Sequence, residues 1–326
     1  AAVSYFDYVA DDAFISFRYA RNLAEGEGLV WNPEERLEAY SNFLWILLLA
    51  GAYKAGLPIV VSAKVLSIAS GVGLLFVVYY LAREIAGSHA PLWLAPVILA
   101  FNRDFVFWMP SGMETVFYSF LLAAAACRYL CESAHRSGFP WSSILFLFVA
   151  LCRPEGIVFF LATVLFDLTY WRRMRWQAFL LFLIPFVAYH VWRVIYFGDF
   201  LPCPYYAKIG SDQRFLLGAA YVGGYLVKYL PFFVVVSLTL LFPPEETGRI
   251  LYLVWLALAG VGAALWMDGD WMWHFRLLVP VTVFLCVLLV PAVGGLLRSS
   301  SAGDRRAVWP INVFGLLFLH QVTGVP

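Results

Sequence analysis

Apolar stretches long enough to cross a bilayer recur along most of this 326-residue chain, and no other feature limits its fold as strongly. A bilayer core offers no water to backbone N–H and C=O groups, so a chain crosses it as helices or as a closed barrel. The candidate segments are 41–57, 60–83, 91–108, 112–131, 141–154, 156–171, 177–197, 217–242, 250–267, 276–297 and 308–320. The expected fold class is therefore all-α, a polytopic transmembrane helical protein with roughly 10–11 apolar segments. Residues 141–171 are nearly uncharged, and within them Arg153 and Glu155 flank Pro154. That pattern predicts two short helices meeting at a break, because proline cannot continue the helix and biases its predecessor to extended backbone.

Composition agrees. Hydrophobic residues make up 63% of the chain, charged residues 13%, and the mean hydropathy is +0.79. The charged share is about half that of a soluble domain, which excludes a disordered chain, a collagen, a small disulfide scaffold and an ordinary soluble fold. A net charge of +1 leaves no electrostatic footprint for nucleic acid. The five cysteines show no metal-ligand spacing and read as small buried hydrophobes.

Charge is concentrated at the head, where 11 of the 43 charged residues precede position 39. The chain accordingly divides into an extracytoplasmic first loop, 1–40, with an amphipathic helix and an acidic pair, and a multi-helix transmembrane domain, 41–326. There is no initiator Met, and a further membrane helix is expected upstream. Basic clusters at Arg128/Arg136, Arg172/Arg173/Arg175 and Arg298/Arg305/Arg306 assign those loops to the cytoplasm. Loops 102–112, 153–156, 198–214 and 268–275 then share the other face. Strict alternation through the first three segments would put Asp11 in the cytoplasm. One of those three segments is expected not to cross fully, 41–57 being short and carrying Lys54, and Asp11 is expected to share the outer face with the other polar loops.

The residues able to carry chemistry lie in those outer loops. Asp11 and Asp12 precede an amphipathic stretch over Ala13–Glu25, where they serve either as a helix cap or as a base or metal ligand at the membrane surface. Glu38 directly precedes an apolar run. Glu114 opens another, where an acid also suits the helix dipole. An ionisable side chain in a membrane segment costs about 2.5–3.5 kcal/mol, so Arg153 and Glu155 together suggest a paired polar site facing a cavity. Lys208 follows a tyrosine pair in a proline-rich loop, an interfacial setting. Asp270, His274 and Arg276 belong to the densest polar and aromatic cluster beyond the head. Arg276 begins an apolar helix, the wrong end for the dipole, and phosphate binding is one reason for it to be there. Nucleotide, zinc-protease and nucleophile-elbow motifs are absent.

The stretch DDAFISFRYARNLAEGEGLVWNPEERLEAYSNFLW, followed in order by SGMET, RPEG, GDFLPCPYYAK and DGDWMWHFRLLVP, resembles GT-C glycosyltransferases. It is most similar to their terminal arabinofuranosyltransferase branch and its bacterial relatives. The resemblance implies a multi-pass enzyme of the bacterial inner (plasma) membrane, its active site facing the periplasm or exterior. Such an enzyme moves a sugar from a polyprenyl-phosphate donor to a cell-envelope glycan or lipid acceptor. Its first outer loop carries an acidic pair, matched here by Asp11 and Asp12. Glu38 matches an acidic position of the aminoarabinose transferases, without the Lys-Pro that follows it there. On this reading Asp11 is the general base and Asp12 its partner. Arg153, Lys208, His274 and Arg276 meet the donor phosphate, and Glu38, Glu155 and Asp270 bind substrate. Attack opposite the phosphate would invert the anomeric centre. No cofactor is required, and a divalent cation (Mg, Mn or Ca) at Asp11 and Asp12 is compatible with their hard oxygens. The competing classes are a transporter or flippase of lipid-linked sugars, which would favour inverted repeats, and a non-catalytic envelope-assembly scaffold.

Overall fold

A computed structural model describes residues 7–86, 90–135, 138–209, 214–241 and 247–300, which are helical and contain no β-strand. The helices are α1 (Ala13–Glu25), α2 (Phe43–Lys54), α3 (Ile59–Ile85), α4 (Leu94–Phe101), α5 (Arg103–Trp108), α6 (Thr115–His135) and α7 (Trp141–Cys152). They continue with α8 (Gly156–Thr169), α9 (Trp176–Phe197), α10 (Cys203–Ile209), α11 (Arg214–Lys228), α12 (Leu230–Leu241), α13 (Thr247–Trp266) and α14 (Val279–Ser300). A 3₁₀ turn, Arg276–Leu278, leads into α14.

The core is organised around α14. Its sequence carries no charge from Val279 to Leu297, and a helix apolar on every side is stable only when surrounded. It packs against α3, α4, α6, α12 and α13, and 94% of the apolar window Arg276–Gly295 is buried. By contrast only 17% of α9 is buried, so most of its apolar surface faces outward to lipid. The head is no detached module: Ala13, Phe17, Tyr19 and Ala20 of α1 join the same buried cluster as Leu285 and Leu289.

The expected 10–11 segments resolve less evenly. Four described helices are long and apolar enough to cross a membrane, and α11 with α12 makes a fifth if that pair, bent by 69°, is one span. The expected segment 91–108 is broken into α4 and α5. Asn102 caps α5 by accepting from the Phe105 amide at 3.0 Å, which forces the chain to turn. Segment 308–320 lies outside the described residues. The break at Pro154 is as expected. Arg153 is extended (φ −153°, ψ 141°) between α7 and α8, the conformation its following proline requires. Gly156 makes the tight return feasible, since a Cβ there would lie 2.5 Å from the Ala150 backbone.

Contacts tie the head to α2 and α3. Lys64, near the start of α3, pairs with Asp7 of the head at 2.5 Å, and Tyr53 near the end of α2 bonds Glu25 at 3.0 Å. Both ends of α2 therefore stay beside the head, and its 12 residues span roughly 18 Å of the ~30 Å needed. Loops 7–42, 102–115, 153–156, 198–203 and 268–276 then gather at one end of the bundle. Arg128, Glu132, Arg173 and Arg175 lie at the other end of α6–α9. In a Cys-free protein, a cysteine replacing exposed Glu27 and one replacing exposed Arg172 should react with a membrane-impermeant thiol reagent from opposite sides. Labelling of both from one side would overturn this topology.

Candidate active site

The site begins at the first turn of α1. Backbone carbonyls of Ala10, Asp11 and Asp12 accept from the amides of Ala13, Phe14 and Ile15, so the turn closes without side-chain help. Asp12 occupies the cap position but makes no side-chain cap bond. Its carboxylate instead faces Arg276, with Oδ2 3.9 Å from Nη1. Burial pushes the Asp12 carboxyl above the usual aspartate range. Arg276 opposes that shift, while Asp270, Glu114 and Asp11 add to it. Asp11 is exposed beside it. The head is anchored by the Ala10 amide, which donates to Ser111 O at 2.9 Å. Trp45 Nε1 donates to Gly112 O at 3.2 Å and holds the same Ser-Gly-Met-Glu-Thr turn, whose Gly112 has φ +78°.

Arg276 is aimed by its own loop. Its Nε donates to Asp270 Oδ2 at 2.6 Å, while Asp270 Oδ1 accepts from the Met272 amide at 3.3 Å. Asp270 thereby holds Arg276 in place. The guanidinium also lies 5.9 Å from the Trp108 ring centroid. Asp268, His274 and Phe275 have φ of +64°, +61° and +44°, conformations that cost about 1–3 kcal/mol each in non-glycine residues. Contacts from outside the loop hold them. Trp108 Nε1 donates to His274 O at 3.1 Å, and the Leu277 amide donates to the Tyr221 hydroxyl at 3.2 Å. His274 Nδ1 lies 2.7 Å from Asp104 Oδ1, and its ring stacks 4.1 Å from Phe107. Asp104, 1% exposed, also accepts from Lys228 Nζ at 2.6 Å and the Tyr229 hydroxyl at 2.8 Å. His274 is thus engaged by a buried carboxylate on one nitrogen.

Arg153 stands on the extended residue between α7 and α8. Its Nε donates to Glu155 Oε1 at 2.9 Å and its Nη1 to Glu114 Oε1 at 3.1 Å. Glu114 Oε2 accepts from Asn42 Nδ2 at 2.7 Å, and Asn42 exchanges hydrogen bonds with Ser16 of α1. Arg153 and Arg276 line one small cleft together with Tyr118, Glu155, Phe159 and Met267. In it the Glu155 Oε2 and Tyr118 hydroxyl oxygens are buried without a hydrogen-bond partner among the described residues. Leaving such a group unmatched costs about 1–3 kcal/mol, so this wall suits a ligand bearing hydroxyl groups.

Glu38 belongs to a separate cluster. It pairs with Arg193 at 2.5 Å, and both side chains are at most 3% exposed. Arg193 also donates to Phe200 O, and the Cys203 amide donates to Glu38 O at 3.0 Å, so the pair stitches the first loop to the 198–203 loop. Lys208 falls in α10, and its side chain lies outside the described residues. Arg193 and Lys228, absent from the expected site, are lone cations within apolar runs, a sequence signal of buried pairing. Among the described residues no three His, Cys, Asp or Glu side chains are grouped to hold a metal ion. A cation at Asp12 would need substrate oxygens or water to complete its shell.

No family model matches the chain. A terminal beta-(1->2)-arabinofuranosyltransferase of Mycobacterium tuberculosis is 29% identical over 244 residues, covering 68% of this chain and 38% of that protein. Among solved structures, ArnT from Cupriavidus metallidurans bound to undecaprenyl phosphate superposes with a TM-score of 0.68 at 14% identity, over 97% of this chain and 60% of that one. The Archaeoglobus fulgidus oligosaccharyltransferase, solved with Zn and sulfate, superposes with a TM-score of 0.56 at 12% identity, over 96% of this chain and 49% of that one. The fold is that of the GT-C glycosyltransferases. The chain spans less than two thirds of the length of each of these proteins. Within the GT-C fold described here, the Glu38–Arg193 pair is a test of what holds the outer loops. Arg193→Met should lower stability by about 3–5 kcal/mol, because it strands a buried carboxylate, and Glu38→Leu with Arg193→Met should recover most of that loss. Thermal unfolding in detergent would measure both. An Arg193→Met protein as stable as wild type would remove the pair from the stabilising framework.

Proposed function

We propose that this protein is an integral-membrane glycosyltransferase of the bacterial inner membrane. It transfers a sugar from a polyprenyl-phosphate donor to a cell-envelope glycan or lipid acceptor on the periplasmic side. The observation that carries the reading is the placement of Asp12, an uncommitted carboxylate with a raised proton affinity, against Arg276 at the end of the bundle where the outer loops converge. The likeness of fold to a protein solved with undecaprenyl phosphate supports the donor class.

The chemistry follows from where charge moves. The acceptor hydroxyl oxygen attacks the anomeric carbon while the bond from that carbon to the phosphate oxygen breaks, and the electron pair leaves with the phosphate. Asp12 takes the hydroxyl proton as the new bond forms. Asp11, exposed at the mouth, is the less suited base, because it stands in water and off the cation. The leaving phosphate gains charge, so a fixed cation stabilises the transition state more than the substrate. Arg276 fills that role with its Nη edge, its Nε being tied to Asp270. Arg153 is already bound by two carboxylates, so its task is to position Glu114 and Glu155, whose free Oε2 receives a sugar hydroxyl. Attack from the face opposite the phosphate inverts the anomeric centre.

Transfer from a radiolabelled polyprenyl-phosphate sugar by the intact protein in vesicles tests this reading. Asp12→Asn should reduce the rate by about 10²–10⁴-fold while donor binding persists, since the amide cannot take the proton. Arg276→Gln should weaken donor binding and rate together, and Arg276→Lys should rescue only part, lacking the planar fork. The pH profile separates the two roles. A base works when deprotonated, so the rate falls as pH drops through the raised Asp12 value, above the ordinary ~3.9 of aspartate. Arg276→Gln removes the charge that opposes the shift, so the acid limb should move to higher pH. Near-normal transfer by Asp12→Asn would exclude it as the base, and translocation of the donor without transfer would exclude the enzyme reading altogether.

A further inference from the structure

At the end of the bundle opposite Asp12 lies a groove lined by Arg128, Glu132, Trp171, Arg173, Arg175 and Trp176. It is built by four different pieces of chain, namely the end of α6, Gly138 and Pro140 just before α7, the turn after α8 and the start of α9. Its carboxylates sit behind its cations. Glu132 and Asp167 have side chains 8% and 7% exposed, whereas those of Arg128, Arg173 and Arg175 are 46%, 29% and 21% exposed. Three guanidiniums therefore face outward over two buried carboxylates, an excess of one positive charge. Arg173 Nε is buried without a hydrogen-bond partner, its Asp167 contact being a longer 3.5 Å ion pair.

The groove continues into an apolar track. Trp176, Leu180, Ile184, Val187, Val191 and Ile195 follow one another at helical spacing down α9 and are between 45% and 77% exposed. A ligand whose anionic head meets guanidiniums and whose tails run along an apolar helix stripe is a membrane lipid. Tryptophans at the junction suit the headgroup level of a bilayer. We propose that this groove is a binding site for the phosphodiester head of an anionic glycerophospholipid, with its acyl chains laid along α9. Basic pockets between transmembrane helices on the cytoplasmic side recognise such heads by charge and hydrogen bonding.

Arg128 offers a clean test because Glu132 keeps other donors without it: Arg175 Nη2 at 3.0 Å, the Ser142 amide at 3.0 Å and the Ser142 hydroxyl at 2.6 Å. The purified intact protein in neutral detergent would be titrated with phosphatidylglycerol, phosphatidylcholine or inorganic phosphate. Bound lipid would be counted by native mass spectrometry and the unfolding midpoint followed in parallel. Phosphatidylglycerol should bind preferentially and raise the midpoint. Arg128→Gln should bind it about fivefold more weakly, roughly the contribution of one basic residue at a membrane surface. Arg128→Lys should keep most of the binding, which separates lost charge from lost fold. Equal binding of phosphatidylcholine, an equal midpoint shift from inorganic phosphate, or unchanged phosphatidylglycerol binding by folded Arg128→Gln would each overturn the proposal.

Discussion

Arg153 is gripped by Glu114 and Glu155 at once, and that three-way ion pair joins the start of α6 to the break between α7 and α8. All three side chains are at least nine-tenths buried, so none can rely on water for its charge. Removing one member of such a group leaves the others uncompensated, a loss of about 3–5 kcal/mol. The consequence reaches further through Glu114, whose second oxygen accepts from Asn42, which in turn exchanges bonds with Ser16 of α1. The helix that presents Asp12 is thereby tied to the same anchor. An extended residue before a proline is what lets one guanidinium reach both carboxylates.

The charges of the bundle are sorted by end. Where the outer loops converge, Asp12, Asp104, Glu114, Glu155 and Asp270 outnumber Arg153, Lys228 and Arg276, and each of these cations already has a carboxylate partner. Under the proposed reaction such an end would hold an incoming anion by geometry more than by excess charge, which suits release of a phosphate. At the opposite end three arginines overlie two buried carboxylates, and Arg249 pairs with Glu84 between α13 and α3. The same four helices, α6 to α9, connect the two ends.

Much of the architecture is legible along the chain because it follows from local properties. The uncharged run after Arg276 announces the buried central helix, and Pro154 announces the break that follows α7. The shortness of segment 41–57 announces the 12-residue α2, since hydropathy and proline geometry are properties of a few neighbouring residues. The gathering of polar loops is legible only in part: strict alternation would send Asp11 to the other end, and it is the Ala10–Ser111 and Asp7–Lys64 contacts that bring the head to the remaining loops. Less legible is what the residues at such breaks meet: Asn102 caps α5 and also donates to the Tyr229 hydroxyl, 127 positions away, at 2.9 Å.

What the sequence determined by itself is that this chain is a polytopic helical membrane protein with its charges confined largely to the segments between apolar runs, because bilayer solvation acts on each segment separately. Which residues meet was decided only in three dimensions. The partners of Glu38, Asp104 and Glu114 lie 155, 124 and 39 positions away along the chain, at Arg193, Lys228 and Arg153. Adjacent Asp11 and Asp12 look equivalent in sequence, yet one turn of backbone leaves the first exposed and sets the second against Arg276. Side-chain pairing depends on distances of a few ångströms, and the packing of helices around an uncharged core sets those distances.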